Sequence, residues 1–77
     1  MVKPTRVTNS IRTLRLAHGE MTQAELADKV GVTRQTVIAI EQGRYSPSLE
    51  MAFQIARAFA VQLDDVFLYP DQPEEQS

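Results

Sequence analysis

The sequence predicts an all-α domain of five short helices, because two kinds of helix punctuation alternate along it. Gly19, Gly31 and Gly43 recur every twelve residues, and each closes a stretch with the apolar spacing of a helix. Glycine just past a helix end supplies the left-handed cap that other residues resist. Thr22 and Thr33 open the two stretches that follow Gly19 and Gly31, as N-caps. No segment predicts a strand with comparable strength.

The helix boundaries follow from these signals. Thr22 has Glu25 three residues later, which is a capping box, and Ser48 after Pro47 caps the fourth helix. The predicted helices span 9–18, 23–30, 34–42, 49–59 and 63–68. The domain therefore covers 9–69, between an N-terminal arm (1–8) and an acidic, proline-containing tail (70–77) that we expect to be disordered. The arm is expected to be disordered, to reach toward nucleic acid, or to form a short strand with Val66–Tyr69 of its own or a partner chain.

Apolar residues at helical spacing predict the core. They are Ile11, Leu14, Leu26, Ala27, Val30, Val37, Ile40, Leu49, Ala52, Ile55, Ala56, Phe59, Val61, Leu63, Val66 and Phe67. Met21, Met51 and Phe53 are interpreted as core or interface residues, since an apolar stripe more often packs than binds a cofactor.

Composition excludes several classes of function. A chain of 77 residues buries only a small core, and the absence of cysteine removes disulfides as reinforcement. The single histidine, His18, is interpreted as a helix-end contact, so neither a metal site nor a cofactor is expected. No nucleophile–base pair, carboxylate dyad or phosphate-cradling glycine loop indicates an enzyme. Apolar runs reach only four residues, which predicts a cytoplasmic protein without a membrane span.

The net charge of −2 hides two unlike parts. Residues 1–62 hold all eight Lys and Arg and five acids, a net +3, whereas residues 63–77 hold five acids and no base. A mildly basic body is compatible with a nucleic-acid partner, although the total charge is not.

The segment from Gln23 to Gln42 predicts a helix-turn-helix. Its two helices are separated only by Gly31-Val32-Thr33, and the small Ala27 lies where they would cross. With Val37 turned inward, a helical wheel places Glu41 inward and Gln35 outward.

The first turn of the second helix carries the residue types that read bases. Arg34 suits the O6 and N7 atoms of guanine, and Gln35 suits adenine. Ile38 would contact a thymine methyl or be half-buried. Outside such a motif, exposed Arg and Gln are usually only solvated.

The stretch MTQAELADKVGVTRQTVIAIEQGRYSPSL, from Met21 to Leu49, resembles the Cro/cI-type (XRE) helix-turn-helix family. Similarity extends over residues 9–69 and is greatest to short single-domain bacterial regulators. The resemblance implies a five-helix, lambda-repressor-like DNA-binding fold.

The resemblance also implies roles for individual residues. The base-reading positions are Arg34, Gln35, Ile38 and Ala39. The positions that contact phosphate or sugar are Gln23, Thr33, Thr36, Gln42, Arg44 and Tyr45. Arg15 and Glu41 match the family's inward ion pair. Arg44 and Tyr45 are also ordinary turn residues, so that reading stays open for both.

Three residues depart from the family pattern. Glu20 is one extra residue between Gly19 and Met21, and it adds an acid near the phosphate-facing side. Gln62 stands where the family has a better N-cap, so the fifth helix is expected to fray. Ala60 stands where a left-handed glycine is usual, and a left-handed alanine costs about 1 kcal/mol.

These observations predict a sequence-specific regulator of transcription that binds double-stranded DNA as a homodimer on a palindromic operator. The candidate dimer residues are Phe53, Val66, Phe67, Leu68 and Tyr69. The alternative is an antitoxin-like or co-regulator module that acts mainly through another protein, which the acidic, partly apolar C-terminal end leaves open.

Overall fold

A computed structural model describes residues 5–44 and 46–70. Its elements in chain order are β1 (Thr8–Asn9), α1 (Ile11–Ala17), α2 (Gln23–Val30), α3 (Arg34–Glu41), α4 (Leu49–Ala58), α5 (Leu63–Val66) and β2 (Phe67–Leu68). The predicted fold of five helices with a short terminal strand is confirmed. Predictions for residues 1–4, Tyr45 and 71–77 lie outside the described residues.

The helices begin where the sequence places their caps. The Thr22 hydroxyl accepts from Glu25 N at 3.0 Å, and the Glu25 carboxylate accepts from Thr22 N at 2.8 Å, which completes the capping box. Thr33 caps α3, and Ser48 caps α4 through a 3.1 Å bond from Met51 N. Each hydroxyl satisfies a backbone N–H that has no partner within the helix, so local sequence fixes these boundaries.

The two ends of the domain pair as an antiparallel ribbon. Thr8 lies opposite Leu68 and Asn9 opposite Phe67. The first helix therefore begins at residue 11 instead of 9, and the fifth ends at 66 instead of 68, so both predicted boundaries are wrong. The physical reason is a long-range backbone ladder, continued by Ser10 N donating to Val66 O at 2.8 Å. Of the alternatives for the N-terminal arm, residues 8 and 9 form the short strand that pairs with the C-terminal strand of the same chain.

Buried side chains from all five helices form one core. Its largest fully buried members are Phe59, Ile11, Leu26, Ile40 and Val66. Leu49 was predicted to join them but is 67% exposed, because it is the first residue of α4 and lies at the edge of the domain. Leu63 is only half-buried.

Within the described part of the chain, two residues other than glycine adopt left-handed backbone. Glu20 and Ala60 both have φ +57°, and Ala60 follows the end of α4, as its family position implied. Gln62 N donates to the Asp65 carboxylate at 3.1 Å, so an acid in the first turn of α5 supports the start of this four-residue helix. None of the helices in the described part of the chain has the length and apolar character needed to cross a membrane.

Candidate nucleic-acid interface

A tight turn joins α2 to α3. Gly31, with φ +83°, donates its N–H to Ala27 O at 2.8 Å, and Val32 N donates to the same carbonyl at 3.0 Å. Val37 and Ile40 are each 2% exposed and anchor α3 to the core. These contacts fix the angle between the helices, so the outer face of α3 is held rigidly toward solvent.

The outer face of α3 presents the residues that the sequence singled out. Arg34 and Gln35 are exposed in its first turn, and Ile38 and Ala39 are half-buried. The half-buried alternative for Ile38 is the one observed, and its contact with a thymine methyl stays a prediction. The four predicted base-reading residues lie on one accessible side of the helix or at its margin.

Thr33 and Thr36, at the start of α3, are hydrogen-bonded to each other. Thr33 Oγ1 accepts from Thr36 N at 3.2 Å, and the two hydroxyls lie 3.0 Å apart. The Thr33 side chain thus caps α3, and a hydroxyl retains lone pairs or a proton for a further partner.

The one acidic residue of α3, Glu41, forms an ion pair with Arg15 of α1. Arg15 Nε donates to Glu41 Oε2 at 2.6 Å, and Arg15 Nη2 donates to Glu41 Oε1 at 3.2 Å. Arg15 Nη1 donates to Met21 O at 2.8 Å, so the guanidinium also fixes the approach to α2. Both side chains are about nine-tenths buried. The pair implied by the resemblance is therefore present and ties α1 to α3.

Gln23 shares this carboxylate. Its Nε2 donates to Glu41 Oε1 at 3.1 Å, and its side chain is half-buried. Sequence reasoning treated Gln23 as a separate phosphate contact and missed this bond. The amide carries two N–H groups, so one holds Glu41 while the other remains for a ligand.

The residues after α3 turn away from the helix axis. Gln42 is the C-cap, and Arg44 N donates to Ala39 O at 3.0 Å. The Arg44 side chain is exposed, as is Gln42. Tyr45, the third residue of the predicted phosphate clamp, lies outside the described residues.

Arg12 is a basic residue of this surface that sequence reasoning missed. An open groove of about 730 Å³ lies between α1, α2 and α3, and Arg12 lines it together with Arg34, Gln23 and Gln42. The available signal was its position three residues before Arg15 on α1, which places the two side chains on the same side of the helix.

The candidate dimer residues fall into two groups. Phe53, Leu68 and Tyr69 are exposed by 49%, 56% and 68%. Phe67 is partly buried against the core. Val66 is 0% exposed, so the chain itself covers it and its assignment to a dimer surface is wrong.

The described residues contain no group of three or more His, Asp or Glu side chains that could hold a metal. His18 Nδ1 lies 2.9 Å from Leu14 O, and its ring centroid is 5.3 Å from that of Phe59. This histidine therefore makes a helix-end contact.

Comparison with known proteins identifies the family. The model of a helix-turn-helix family matches residues 11–66. An uncharacterized HTH-type transcriptional regulator of Methanocaldococcus jannaschii is 51% identical over 63 residues, which cover 82% of this chain and 94% of that protein. The chain belongs to the XRE-type family of helix-turn-helix transcriptional regulators.

Another relative and two solved structures are also similar to this chain. An uncharacterized HTH-type transcriptional regulator of Bacillus subtilis is 49% identical over 59 residues, covering 77% of this chain and 88% of the relative. A hypothetical transcription factor, NHTF from Neisseria, superposes with a TM-score of 0.68 at 28% identity over 87% of this chain and 76% of that one. A DNA-binding protein described from Bacteroides fragilis, with TM-score 0.69 and 24% identity over 80% of this chain and 98% of that one, shares the fold.

Proposed function

We propose that this XRE-type chain is a cytoplasmic transcriptional regulator that binds double-stranded DNA sequence-specifically, with α3 in the major groove. The observation that carries the proposal is the exposed pair Arg34 and Gln35 in the first turn of a helix anchored by buried Val37 and Ile40. The N-terminal part of a recognition helix is the part that meets base edges. Arg34 reads guanine, Gln35 reads adenine, and Ile38 and Ala39 make apolar contacts.

The electrostatics of α3 support this role. Glu41 is the one acid on the helix, and Arg15 and Gln23 together occupy its carboxylate. A paired, inward carboxylate repels phosphate little. The total charge of −2 is therefore a poor guide, since charges more than about 8–10 Å apart are largely screened at physiological salt.

Residues around α3 hold the DNA backbone in this proposal. The free N–H of Gln23, at the start of α2, faces one phosphate, and Arg44 with Gln42 binds another beyond α3. Thr33 and Thr36 contact phosphate or sugar, and Tyr45 completes the set by its place in the family motif. Such contacts set the register of the helix on the duplex without reading sequence.

The active form is a homodimer on a palindromic operator. A chain of 77 residues has a small core, and Phe53, Leu68 and Tyr69 leave apolar surface uncovered. A two-fold dimer places two recognition helices about 34 Å apart, one helical turn of DNA.

Selection of bound duplexes from a random pool at about 50 mM salt tests the proposal. The chain is expected to enrich one palindromic sequence. Replacing Arg34 and Gln35 together by alanine is expected to remove that preference while weak non-specific binding remains, since each base contact contributes about 1–3 kcal/mol of discrimination.

The matched control removes the same two residue types elsewhere. Gln54→Ala with Arg57→Ala changes exposed residues of α4 outside the groove and is expected to keep the preference. Retained preference in the α3 variant contradicts the base-reading assignment. Absence of any enrichment favours the protein-interaction module, and one chain per bound duplex contradicts the homodimer.

A further inference from the structure

The groove between α1, α2 and α3 contains two arginines that have no partner among the described residues. Arg12 and Arg34 are both exposed, and no hydrogen bond or ion pair joins either to another described residue. Arg15, in the same groove, is buried and fully engaged by Glu41 and Met21 O. The groove therefore exposes two guanidinium groups whose charge is available to a ligand.

The acids of the groove do not cancel this charge. Glu41 is already neutralised by Arg15 and also accepts from Gln23. Glu20 lines the groove as well and is exposed, but it makes no salt bridge among the described residues. Three arginines face two carboxylates, so the groove carries a net positive charge and favours an anion.

The shape of the groove favours a polymer backbone over a small anion. It is open to solvent, and its free cations are exposed, so nothing encloses an isolated ion. Arg34 is both the first residue of α3 and part of the groove wall. The ligand of the groove therefore lies next to the DNA bases that α3 would contact. In B-form DNA, the groups that border the major groove are the backbone phosphates.

We propose that Arg12 binds a phosphate of the DNA backbone in this groove, which adds a contact from α1 to those from α2 and α3. The inference rests on the proposed function and deepens it. Arg12 contributes affinity without sequence preference, because a phosphate contact carries no base information. Its neutralisation of one phosphate releases about 0.9 of a counterion, so it steepens the salt dependence of binding by that amount.

Arg12→Gln tests this inference. Arg12 is exposed, and glutamine keeps much of the length of the arginine side chain while removing its charge. Affinity for the selected operator and for an unrelated duplex is measured between about 50 and 200 mM salt. The variant is expected to bind both duplexes more weakly by the same factor. The ratio of wild-type to variant affinity is expected to shrink about 3.5-fold over this range, as a loss of roughly 0.9 in slope requires.

Two variants separate this contact from other effects. Arg57→Gln removes the same charge from α4 outside the groove and is expected to leave the salt slope unchanged. Arg34→Gln is expected to lower the preference for operator over unrelated duplex, which Arg12→Gln leaves intact. Thermal unfolding checks that all three variants remain folded.

Each remaining outcome decides against the inference. A slope for Arg12→Gln equal to that of the wild type or of Arg57→Gln means that Arg12 contacts no phosphate. A loss confined to the operator makes Arg12 a base contact instead. If the unaltered chain enriches no duplex, the proposed function fails and this inference fails with it, whereas enrichment with an unaffected Arg12→Gln overturns the Arg12 contact alone.

Discussion

At the residue scale, Ala60 holds a backbone conformation that its side chain disfavours. Its φ is +57°, and the turn around it is closed by Ala60 N donating to Arg57 O at 3.0 Å and Val61 N to Ala56 O at 3.1 Å. A left-handed residue with a Cβ costs roughly 1–2 kcal/mol, and glycine avoids that penalty. The hydrogen bonds of the turn therefore hold Ala60 in a backbone conformation that alanine disfavours.

Ala60→Gly is expected to be neutral or stabilising. Relief of the left-handed strain is partly offset by the larger entropy of glycine in the unfolded chain, which leaves a gain of up to about 1 kcal/mol. Thermal unfolding is expected to give an unchanged melting temperature or a rise of up to roughly 8 °C.

The control is Ala58→Gly, two residues earlier at the last residue of α4. It is expected to destabilise the domain by up to about 1 kcal/mol, because glycine disfavours a right-handed helical backbone. A clearly lower melting temperature for Ala60→Gly contradicts the strain argument.

At the element scale, one side chain connects the terminal ribbon to the recognition helix. Asn9 pairs with Phe67 in the ribbon, and its Nδ2 donates to Ile40 O at 2.9 Å in the last turn of α3. Its Oδ1 accepts from Ile11 N at 3.2 Å at the start of α1. Both ends of the amide are thus used, and three elements are held by one residue.

Asn9→Asp tests this connection with almost no change of shape. The carboxylate still accepts from Ile11 N, but its second oxygen faces Ile40 O without a donor. We expect a loss of about 1–3 kcal/mol in the free energy of unfolding, measured by urea denaturation, since an acceptor is left facing an acceptor.

The sign of the change in the free energy of unfolding distinguishes loss of the Asn9 connection from a simple charge effect. An acid at the start of α1 would otherwise stabilise the helix by about 0.3–1 kcal/mol. Thr8→Ala, in the same strand, removes only a 3.4 Å exposed bond to Leu68 O and is expected to change stability by less than about 0.5 kcal/mol. Unchanged or increased stability of Asn9→Asp contradicts the connecting role.

At the scale of the whole molecule, charge is unevenly distributed along the chain. All eight basic residues precede residue 63, whereas five of the ten acids follow residue 62. Three of these acids, Asp71, Glu74 and Glu75, are concentrated in the last seven residues. Their negative charge is of the sign that repels phosphate.

Removal of residues 70–77 is expected to raise affinity for random duplex DNA, because it changes the net charge from −2 to +1. Full-length protein with Asp71→Asn, Glu74→Gln and Glu75→Gln is the control for chain length and is expected to behave likewise. The gain is expected to fade near 1 M salt, where the screening length is about 3 Å. Equal affinity of the truncated and intact chains at low salt contradicts the prediction.

Local signals predicted most of this fold, and long-range contacts account for what they missed. Thr22, Thr33 and Ser48 cap their helices through atoms three residues away, so their neighbours in sequence are sufficient to identify them. The ribbon pairs Thr8 with Leu68, 60 positions apart, and no local pattern in Thr8–Asn9 specifies that partner. For this reason the ends of α1 and α5 were misplaced.

The candidate site divides in the same way. Arg34 and Gln35 follow from the helical position alone, whereas Arg12 acquires meaning only when α1 is packed beside α2 and α3. The bond from Gln23 to Glu41 joins residues 18 apart and depends on the angle between α2 and α3. Sequence patterns therefore identify the candidate residues of α3 better than the neighbouring surface formed by α1 and α2.

The ribbon has one further consequence, for how this domain can be built into other proteins. Because Thr8 and Leu68 are paired, the first and last strands of the described fold lie side by side, with these two Cα atoms roughly 5 Å apart. A domain with such neighbouring ends can be inserted within a surface loop of a host protein without stretching that loop open. The same adjacency permits a circularly permuted form, in which a short linker joins the two strands and new termini open at a surface turn.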